Sequence, residues 1–280
     1  MNNQYDTIIL GKGPAGLTCA LYLQRANIKT LVVGKDDGNI FKANRIQNIF
    51  GISGTISGKE LVENTIQNLS SIGCNFLNNY CTKIEPNDSN ILVTLDSGEK
   101  YSCNNLVIAI GKSVVQDKYP KCVSYCATCD GFFYKNKVVA IKGNWSNIEE
   151  DVKYLSNICS KIYILSEDNK KITTDLGEII TSNISNYVLD DYGNLKKIIF
   201  DDGKEIEVSG LFVSENISLN SVKNFGIITK NNHIKVNENY MTNIKNVFAV
   251  GDVIGAPYQI AKACYDGMRC AMIISSKTFN

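Results

Sequence analysis

Residues 5–16 read YDTIILGKGPAG: an apolar strand-type run, Thr7 to Leu10, stops at a glycine-punctuated turn and passes straight into a helical segment, LTCALYLQRAN. Few sequence features restrict a fold as much. Gly11 permits the tight turn, Gly13 lets bare backbone approach a pyrophosphate, and Gly16 lets the helix pack against the strand. Pro14 and Ala15 complete the loop, and the start of the helix that follows supplies free N–H groups and a partial positive charge that favour an anion. A second strand, KTLVV, closes the unit at Gly34. The pattern predicts an α/β fold with a dinucleotide at the head of the first helix. No Asp or Glu stands at Val33 or Gly34, where a ribose is usually held, so other groups must fix the adenosine end.

The same frame recurs at residues 137–151, KVVAIKGNWSNIEED, with its loop altered. Val138 to Ile141 predicts a buried strand, and a helix with an acidic first turn is expected from Ile148. Between them lie Lys142, Asn144, Trp145 and Asn147, side chains where a phosphate loop needs bare backbone. Near the C-terminus, a strand at Val247 to Val250 stops at Gly251-Asp252, and a helix is expected from about Pro257 and Tyr258. A carboxylate at such a strand end can bind a sugar-like hydroxyl, and a helix start can stabilise negative charge on a reduced ring.

Two strand–turn–helix units in 280 residues suit two domains, each able to bury its own core. A net charge of +1, with no basic run, gives no footprint for nucleic acid. No apolar run approaches the roughly 20 residues of a membrane span. The polar start, MNNQYDT, does not read as a signal peptide, and the expected location is cytoplasmic.

The ten cysteines are too irregularly spaced in too large a chain for a disulfide scaffold. Cys19, Cys74, Cys81, Cys103, Cys159, Cys264 and Cys270 sit among apolar neighbours and read as small buried core residues. The motif-spaced pair is Cys126 and Cys129 in YCATCDG. With one histidine, His233, in an ordinary strand context, neither a Cys/His zinc site nor a serine triad is expected, and no metal is assigned. The pair therefore reads as a redox dithiol at an expected helix start, where a thiol's pKa falls. Asp130 follows directly and can carry a proton to or from a thiolate. Cys122 has no assignable role and reads as structural or simply exposed.

Taken in order, the GxGxxG opening, IQNIFG at 46–51, LVIAIGKS at 106–113, YCATCDGFF at 125–133 and VFAVGD at 247–252 resemble the low-molecular-weight thioredoxin reductases along essentially the whole chain. The resemblance implies two Rossmann-like, three-layer ββα domains and FAD as cofactor. The FAD domain, residues 1–113 and 246–280, is split around a smaller domain at 114–245 that carries the dithiol on a degenerate nucleotide-type frame. It implies flavin contacts from Asn48, Gly111, Gly251, Asp252, Gln259, Ile260 and Ala261 beside the loop glycines. Cys129 would then face the flavin, Cys126 would attack the partner disulfide, and Asp130 would be the proton donor. A homodimer is also implied. The family usually has Arg-Gln where this chain has Gln259-Ile260, and Thr at Ile110.

The family's second fingerprint, GxGxxA, becomes Lys142, Asn144 and Asn147, with Gly143 surviving between the first two. Its His-Arg-Arg, which holds the 2′-phosphate of NADPH, becomes Ser166-Glu167-Asp168, and carboxylates repel that phosphate. An acidic residue at this strand end suits an NADH ribose, but the blocked loop still denies it a pyrophosphate site. Within the family, the clostridial ferredoxin-dependent flavin thioredoxin reductases lack both NADPH motifs and keep FAD and CxxC. The resemblance to them implies electron flow from ferredoxin through FAD and the dithiol to thioredoxin. A ferredoxin near −400 mV and a thioredoxin near −270 mV differ by roughly 130 mV, about 6 kcal/mol downhill for two electrons. The alternatives are an FAD-dependent dithiol oxidase using oxygen, an NAD(P)H-dependent thioredoxin reductase, and a flavin-bearing redox sensor.

Overall fold

The computed structural model describes residues 3–36, 38–111, 119–120, 122–166, 173–214 and 225–278. The chain divides into two compact units, one of Met1–Ser113 with Ile217–Asn280 and the other of Val114–Asn216.

The first unit is built on a seven-stranded sheet. Its strands are β1 (Gln4–Leu10), β2 (Thr30–Val33), β3 (Asn75–Leu77), β4 (Cys81–Pro86), β5 (Ile91–Leu95), β6 (Lys100–Ile108) and a late strand at Val247–Ala249. The order is β3-β2-β1-β6-β5-β4, and the late strand also pairs with β6. β1, β2, β3, β6 and the late strand run parallel, while β4 and β5 join antiparallel. β6 serves both partners: its start, Lys100 to Cys103, pairs with β5, and its end, Leu106 to Ile108, with the late strand. Alternation sorts the side chains. Ile9, Val32 and Val107 face a core shared with α1 (Pro14–Arg25), α2 (Gly58–Ser71) and the C-terminal helix Ile260–Thr278. Ile8, Leu10, Leu31, Val33, Leu106 and Ile108 face the other core, shared with β4 and β5. Covering both faces explains why these strands are apolar at every position rather than every second one.

The second unit repeats the layering. A parallel sheet, in the order Gly210–Ser214, β7 (Val138–Gly143), β8 (Lys161–Ser166) and β9 (Glu178–Ile180), has two covered faces. On one face Val139, Ile141, Ile162 and Ile164 pack with Ile148, Val152 and Leu155 of a helix spanning Trp145–Ser156. On the other, Ala140, Leu165, Leu211 and Val213 pack with a three-stranded antiparallel sheet of β10 (Ile184–Leu189), β11 (Leu195–Phe200) and β12 (Glu205–Glu207). Gly210–Ser214 is β13, and a two-stranded ribbon of β14 (Thr229–Lys230) and β15 (His233–Ile234) precedes the late strand, β16. The α/β fold of two ββα units is the one the sequence predicts.

Three boundaries differ from expectation. The inserted unit ends at Asn216, not near 245, because Ile227 and Ile234 join the β1–β6 core and Met241 bridges to Phe248 of β16. The helix after β7, α4, begins at Trp145 with Asn144 as its cap residue, one turn before Ile148, so Glu149, Glu150 and Asp151 lie in its second turn. The C-terminal helix, α5 after the short α3 (Ala127–Asp130), begins at Ile260 rather than at Pro257 or Tyr258. Gln259 provides the carbonyl that takes the Ala263 N–H at 2.9 Å, so the first helical turn follows it.

Candidate functional site

In the first unit, β1 passes into α1 through Gly11 at φ +120°, where a Cβ would run into the Ala109 carbonyl oxygen. A Cβ on Gly16 would strike the Gly11 carbonyl oxygen, so both glycines are demanded by the fold itself. Gly13 differs: it is the cap residue of α1 with an ordinary φ of −83°, and a Cβ there would meet nothing within 4 Å. No side chain caps this helix, and Pro14 occupies its first turn. Open space, small residues and an uncapped helix start form a cradle that takes an anion. Lys12, only 8% exposed, sends its Nζ to 2.6 Å from Asp36 Oδ1 and donates to Asn78 Oδ1 at 3.4 Å. Asp36 therefore brings a carboxylate to the loop two residues beyond Gly34, the group not found at the strand end itself.

The C-terminal segment closes on the same helix start. Gly251 lies at φ +80° with the Ala15 Cβ 2.8 Å from where its own Cβ would be, and a Cβ on Gly267 would meet the Ala15 carbonyl oxygen. Asp252 follows in a 3₁₀ turn, Gly251–Ile254. Asp266, 4% exposed, holds this turn: it accepts from the Gly251 N–H at 3.1 Å, the Tyr240 hydroxyl at 3.1 Å and the Lys262 ammonium at 2.8 Å. Lys262 also donates to the carbonyls of Gly251 at 3.0 Å and Gly255 at 2.9 Å. Burial first, then the Asp266 carboxylate, pushes the Tyr240 phenol well above its ordinary range. Asn48 donates to Gln259 Oε1 at 3.0 Å, joining two expected contact residues 211 positions apart. Ile260 and Ala261 open α5, while Gly111, at φ +70°, follows the half-exposed Ile110 just past β6.

In the second unit, Cys126 and Cys129 are joined by a disulfide. Cys126 caps the single turn of α3, its Sγ accepting from the Cys129 N–H at 3.2 Å. Asp130 closes that turn, its N–H bonded to the Cys126 carbonyl at 3.1 Å. Ser124, 6% exposed, donates its hydroxyl to Asp130 Oδ2 at 2.6 Å and accepts from the Cys126 N–H at 3.2 Å. Cys122 is half-buried, packed at the edge of the β11 core, and burial raises its thiol above the usual range. That suits a structural thiol rather than a nucleophile.

The second loop keeps a strand–turn–helix frame. Gly143 ends β7 at φ +155°, where a Cβ would crowd the Ser214 carbonyl oxygen at 2.6 Å and the Ile148 methyl at 2.7 Å. Asn144 caps α4, and Trp145, its first residue, packs half-buried on the α4 core. Lys142 is half-buried in β7 and Asn147 is exposed in the first turn of α4. Ser166 ends β8 beside Gly143, while Glu167 and Asp168 lie outside the described residues. Among the described residues no group of three or more His, Cys, Asp or Glu side chains could hold a metal.

The sequence pattern of the family described as pyridine nucleotide-disulphide oxidoreductase matches residues 5–144 and 149–267, and the interruption falls in the first turn of α4. The chain belongs to this family. Within it, the chain is a low-molecular-weight, thioredoxin reductase-type flavoprotein. It is 32% identical over 291 residues to the thioredoxin reductase of Buchnera aphidicola subsp. Baizongia pistaciae, covering 92% of this chain and 89% of that one. It is 28% identical over 315 residues to the thioredoxin reductase of Helicobacter pylori, covering 97% and 98%. The solved thioredoxin reductase of Streptococcus pyogenes has the same fold, at a TM-score of 0.88, with 24% identity and 100% of each chain covered. The solved Ferredoxin-Flavin Thioredoxin Reductase of Clostridium acetobutylicum is 29% identical, with 99% of each chain covered and a TM-score of 0.56.

FAD is the cofactor of this thioredoxin reductase-type chain, and the open backbone at Gly13 with the uncapped start of α1 fits its pyrophosphate. Sequence reasoning missed Ser124, Lys12, Asp36, Lys262 and Asp266. One signal was present: Lys262 and Asp266 form an i,i+4 charge pair on an otherwise apolar helix face. Among the described residues no helix is long and apolar enough to cross a membrane.

Proposed function

We propose that this disulfide oxidoreductase takes its electrons from reduced ferredoxin, not from a pyridine nucleotide, and delivers them to thioredoxin through FAD and the Cys126–Cys129 pair. The observation that carries this is the 142–147 loop. Lys142 near the end of β7, Asn144 as the cap residue of α4 and Trp145 as its first residue carry side chains around a strand–helix turn that must present bare backbone to a pyrophosphate, and Trp145 adds bulk at the first helical position. The Ser166-Glu167-Asp168 sequence adds repulsion where a cationic clamp is required. Likeness to the Clostridium acetobutylicum enzyme supports the same donor. The test is anaerobic flavin spectroscopy. Millimolar NADPH or NADH leaves the flavin absorbance unchanged, whereas photoreduced ferredoxin bleaches it; rapid bleaching by NADPH would overturn the donor assignment.

In this reading the unit containing β1–β6 is the FAD domain and the unit containing β7–β13 carries the dithiol, in a cytoplasmic homodimer. Gly11, Gly13, Pro14, Ala15 and Gly16 receive the pyrophosphate, and Asn48, Gly111, Gly251, Asp252, Gln259, Ile260 and Ala261 line the rest of the cofactor. Bound FAD supplies the two electrons that open the disulfide. Cys129 receives them and Cys126 becomes the nucleophile. The Cys126 thiolate attacks the thioredoxin disulfide, giving a mixed disulfide and one thioredoxin thiolate. Cys129 then attacks Cys126 Sγ, re-forming the internal disulfide and releasing the second thioredoxin thiolate. Asp130 holds a proton at its carboxyl and exchanges it with the thiolates of these steps, which is general acid–base work.

A further inference from the structure

We infer that Ser124 is a positioning residue for proton transfer: its hydroxyl serves both protonation states of Asp130, so the carboxyl gains and loses its proton without moving. This rests on the reading of Asp130 as the proton carrier and deepens it. Three contacts at one oxygen carry the inference. Ser124 Oγ lies 2.6 Å from Asp130 Oδ2, 3.2 Å from the Cys126 N–H it accepts, and 3.3 Å from the Cys126 carbonyl oxygen. A hydroxyl has one hydrogen to give and two lone pairs. With Asp130 ionised, that hydrogen goes to the carboxylate as a short, charge-assisted bond. With Asp130 protonated, the carboxyl O–H donates to Ser124 Oγ, and the serine hydrogen turns to the Cys126 carbonyl. In both states every polar group has a partner and no heavy atom shifts.

The serine is well anchored for this work. Its N–H bonds the Leu211 carbonyl at 2.9 Å and its carbonyl accepts the Val213 N–H at 2.8 Å, so the backbone is stitched to β13 as a short parallel bridge to Phe212. It is 6% exposed, which keeps water from replacing it. The link to Cys126 through both N–H and carbonyl ties the proton carrier to the residue that bears the nucleophile. In the exchange, the carboxylate takes the proton of one thiol of the reduced pair as that sulfur attacks, and returns it to the thioredoxin thiolate that leaves. Protons balance, and Ser124 rotates once in each direction.

Besides the two thiols of the reduced pair, Cys126 and Cys129, the other titratable groups on elements around α3 are Tyr134 in the turn that follows it and Asp151 and Tyr154 in α4. Lys153 pairs with Glu149 at 3.0 Å and Glu150 at 3.1 Å on the exposed side of that helix. A comparison with Asp130→Asn therefore isolates the Asp130 limb of any pH profile from theirs.

The experiment reduces the FAD-loaded protein with dithionite, mixes it with thioredoxin disulfide and follows a single turnover across pH, which bypasses the physiological donor. Alkylation of the reduced pair across the same pH range gives a second readout independent of turnover. Ser124→Ala is expected to slow exchange about tenfold and to move the Asp130 limb upward by about one pH unit, because the carboxylate loses its donor. Ser124→Thr restores both, and Ser124→Ala in the Asp130→Asn background adds no further loss. A Ser124→Ala profile that overlays the unmodified protein, while Asp130→Asn is slowed, overturns the inference alone, as do losses that multiply in the double variant. An Asp130→Asn protein with an unchanged profile overturns the proton-carrier reading and this inference with it. Should Ser124→Ala fail to fold, Ser124→Cys retains the shape with a weaker donor, and an unshifted profile in that variant refutes the inference equally.

Discussion

Replacing Asp266 by alanine tests whether the C-terminal turn is held by this buried carboxylate. Three groups lose their acceptor at once: the Gly251 N–H, the Tyr240 hydroxyl and the Lys262 ammonium. Removing one member of a buried ion pair typically costs about 3–5 kcal/mol. The figure here falls to about 1 kcal/mol because Lys262 is 19% exposed at its side chain and keeps two carbonyl acceptors, Gly251 and Gly255. A stranded buried N–H adds about 1–3 kcal/mol. Together these give a loss of about 3 kcal/mol, or a fall in Tm of roughly 6 °C for a chain of this size. Because the lost bond frees Gly251 beside Ala15, FAD retention falls along with stability. Flavin fluorescence during a thermal ramp reads both quantities. Asp266→Asn, which keeps one oxygen, is expected to lose about half as much. An alanine variant that melts and binds FAD like the unmodified protein would refute the assigned role of Asp266.

Cys129→Ser is expected to trap a mixed disulfide with thioredoxin on a non-reducing gel while Cys126→Ser does not; the reverse pattern exchanges their roles. Alkali is expected to destabilise the fold. Burial pushes the Cys103 thiol up from an ordinary 9.0 to about 12, so its contribution is fully present below pH 9 and is lost as pH rises toward 12. At pH 11 this one thiol costs about 2.5 kcal/mol, and Cys103→Ala should flatten that part of a urea-midpoint profile. Gly143→Ala is expected to cost about 3 kcal/mol in urea unfolding, from strained backbone and crowding against Ser214 and Ile148.

Much of the fold was legible because sheets covered on both faces write themselves as continuous apolar runs. TIIL, TLVV and VVAI became central strands, and the first loop between strand and helix fell where the pattern put it. The end of the inserted unit was not legible. Residues 225–245 carry only scattered apolar side chains, and that Ile227 and Ile234 belong to the β1–β6 core is a tertiary fact with no local trace. Helix starts were misplaced because acidic residues and proline suggest a terminus only to within a turn, while capping geometry decides it. At the site, spacing announced the loop glycines, the dithiol and Gly251-Asp252, and these stand at the start of α1, in a disulfide and in a 3₁₀ turn. Those whose role depends on what the fold brings near them were not. Ser124 is an ordinary serine until β13 fixes it against Asp130, and Asp36 becomes relevant only when Lys12 reaches it across the turn.

The two strand–turn–helix loops of this one chain supply each other's control. Gly13 and Asn144 occupy the same place, the cap residue of the helix that follows the first strand of each unit. Neither backbone asks for glycine: φ is −83° at Gly13 and −69° at Asn144, both open to any residue. At Gly13 a side chain would stand in free space, so packing does not forbid one either. Glycine there is explained by a ligand that must touch backbone, and the pyrophosphate of FAD is such a ligand. In the second unit the cap residue carries a side chain, and the glycine that remains, Gly143, is the one whose Cβ would strike Ser214 and Ile148. It lies between β8 and β13, paired in parallel with Ser166 on one side and Ser214 on the other. Sheet packing alone accounts for it. The first loop thus retains a glycine that only a ligand needs, and the second retains only the one its fold needs. Under the proposed ferredoxin route, the second frame is kept to carry the dithiol and has no nucleotide to hold.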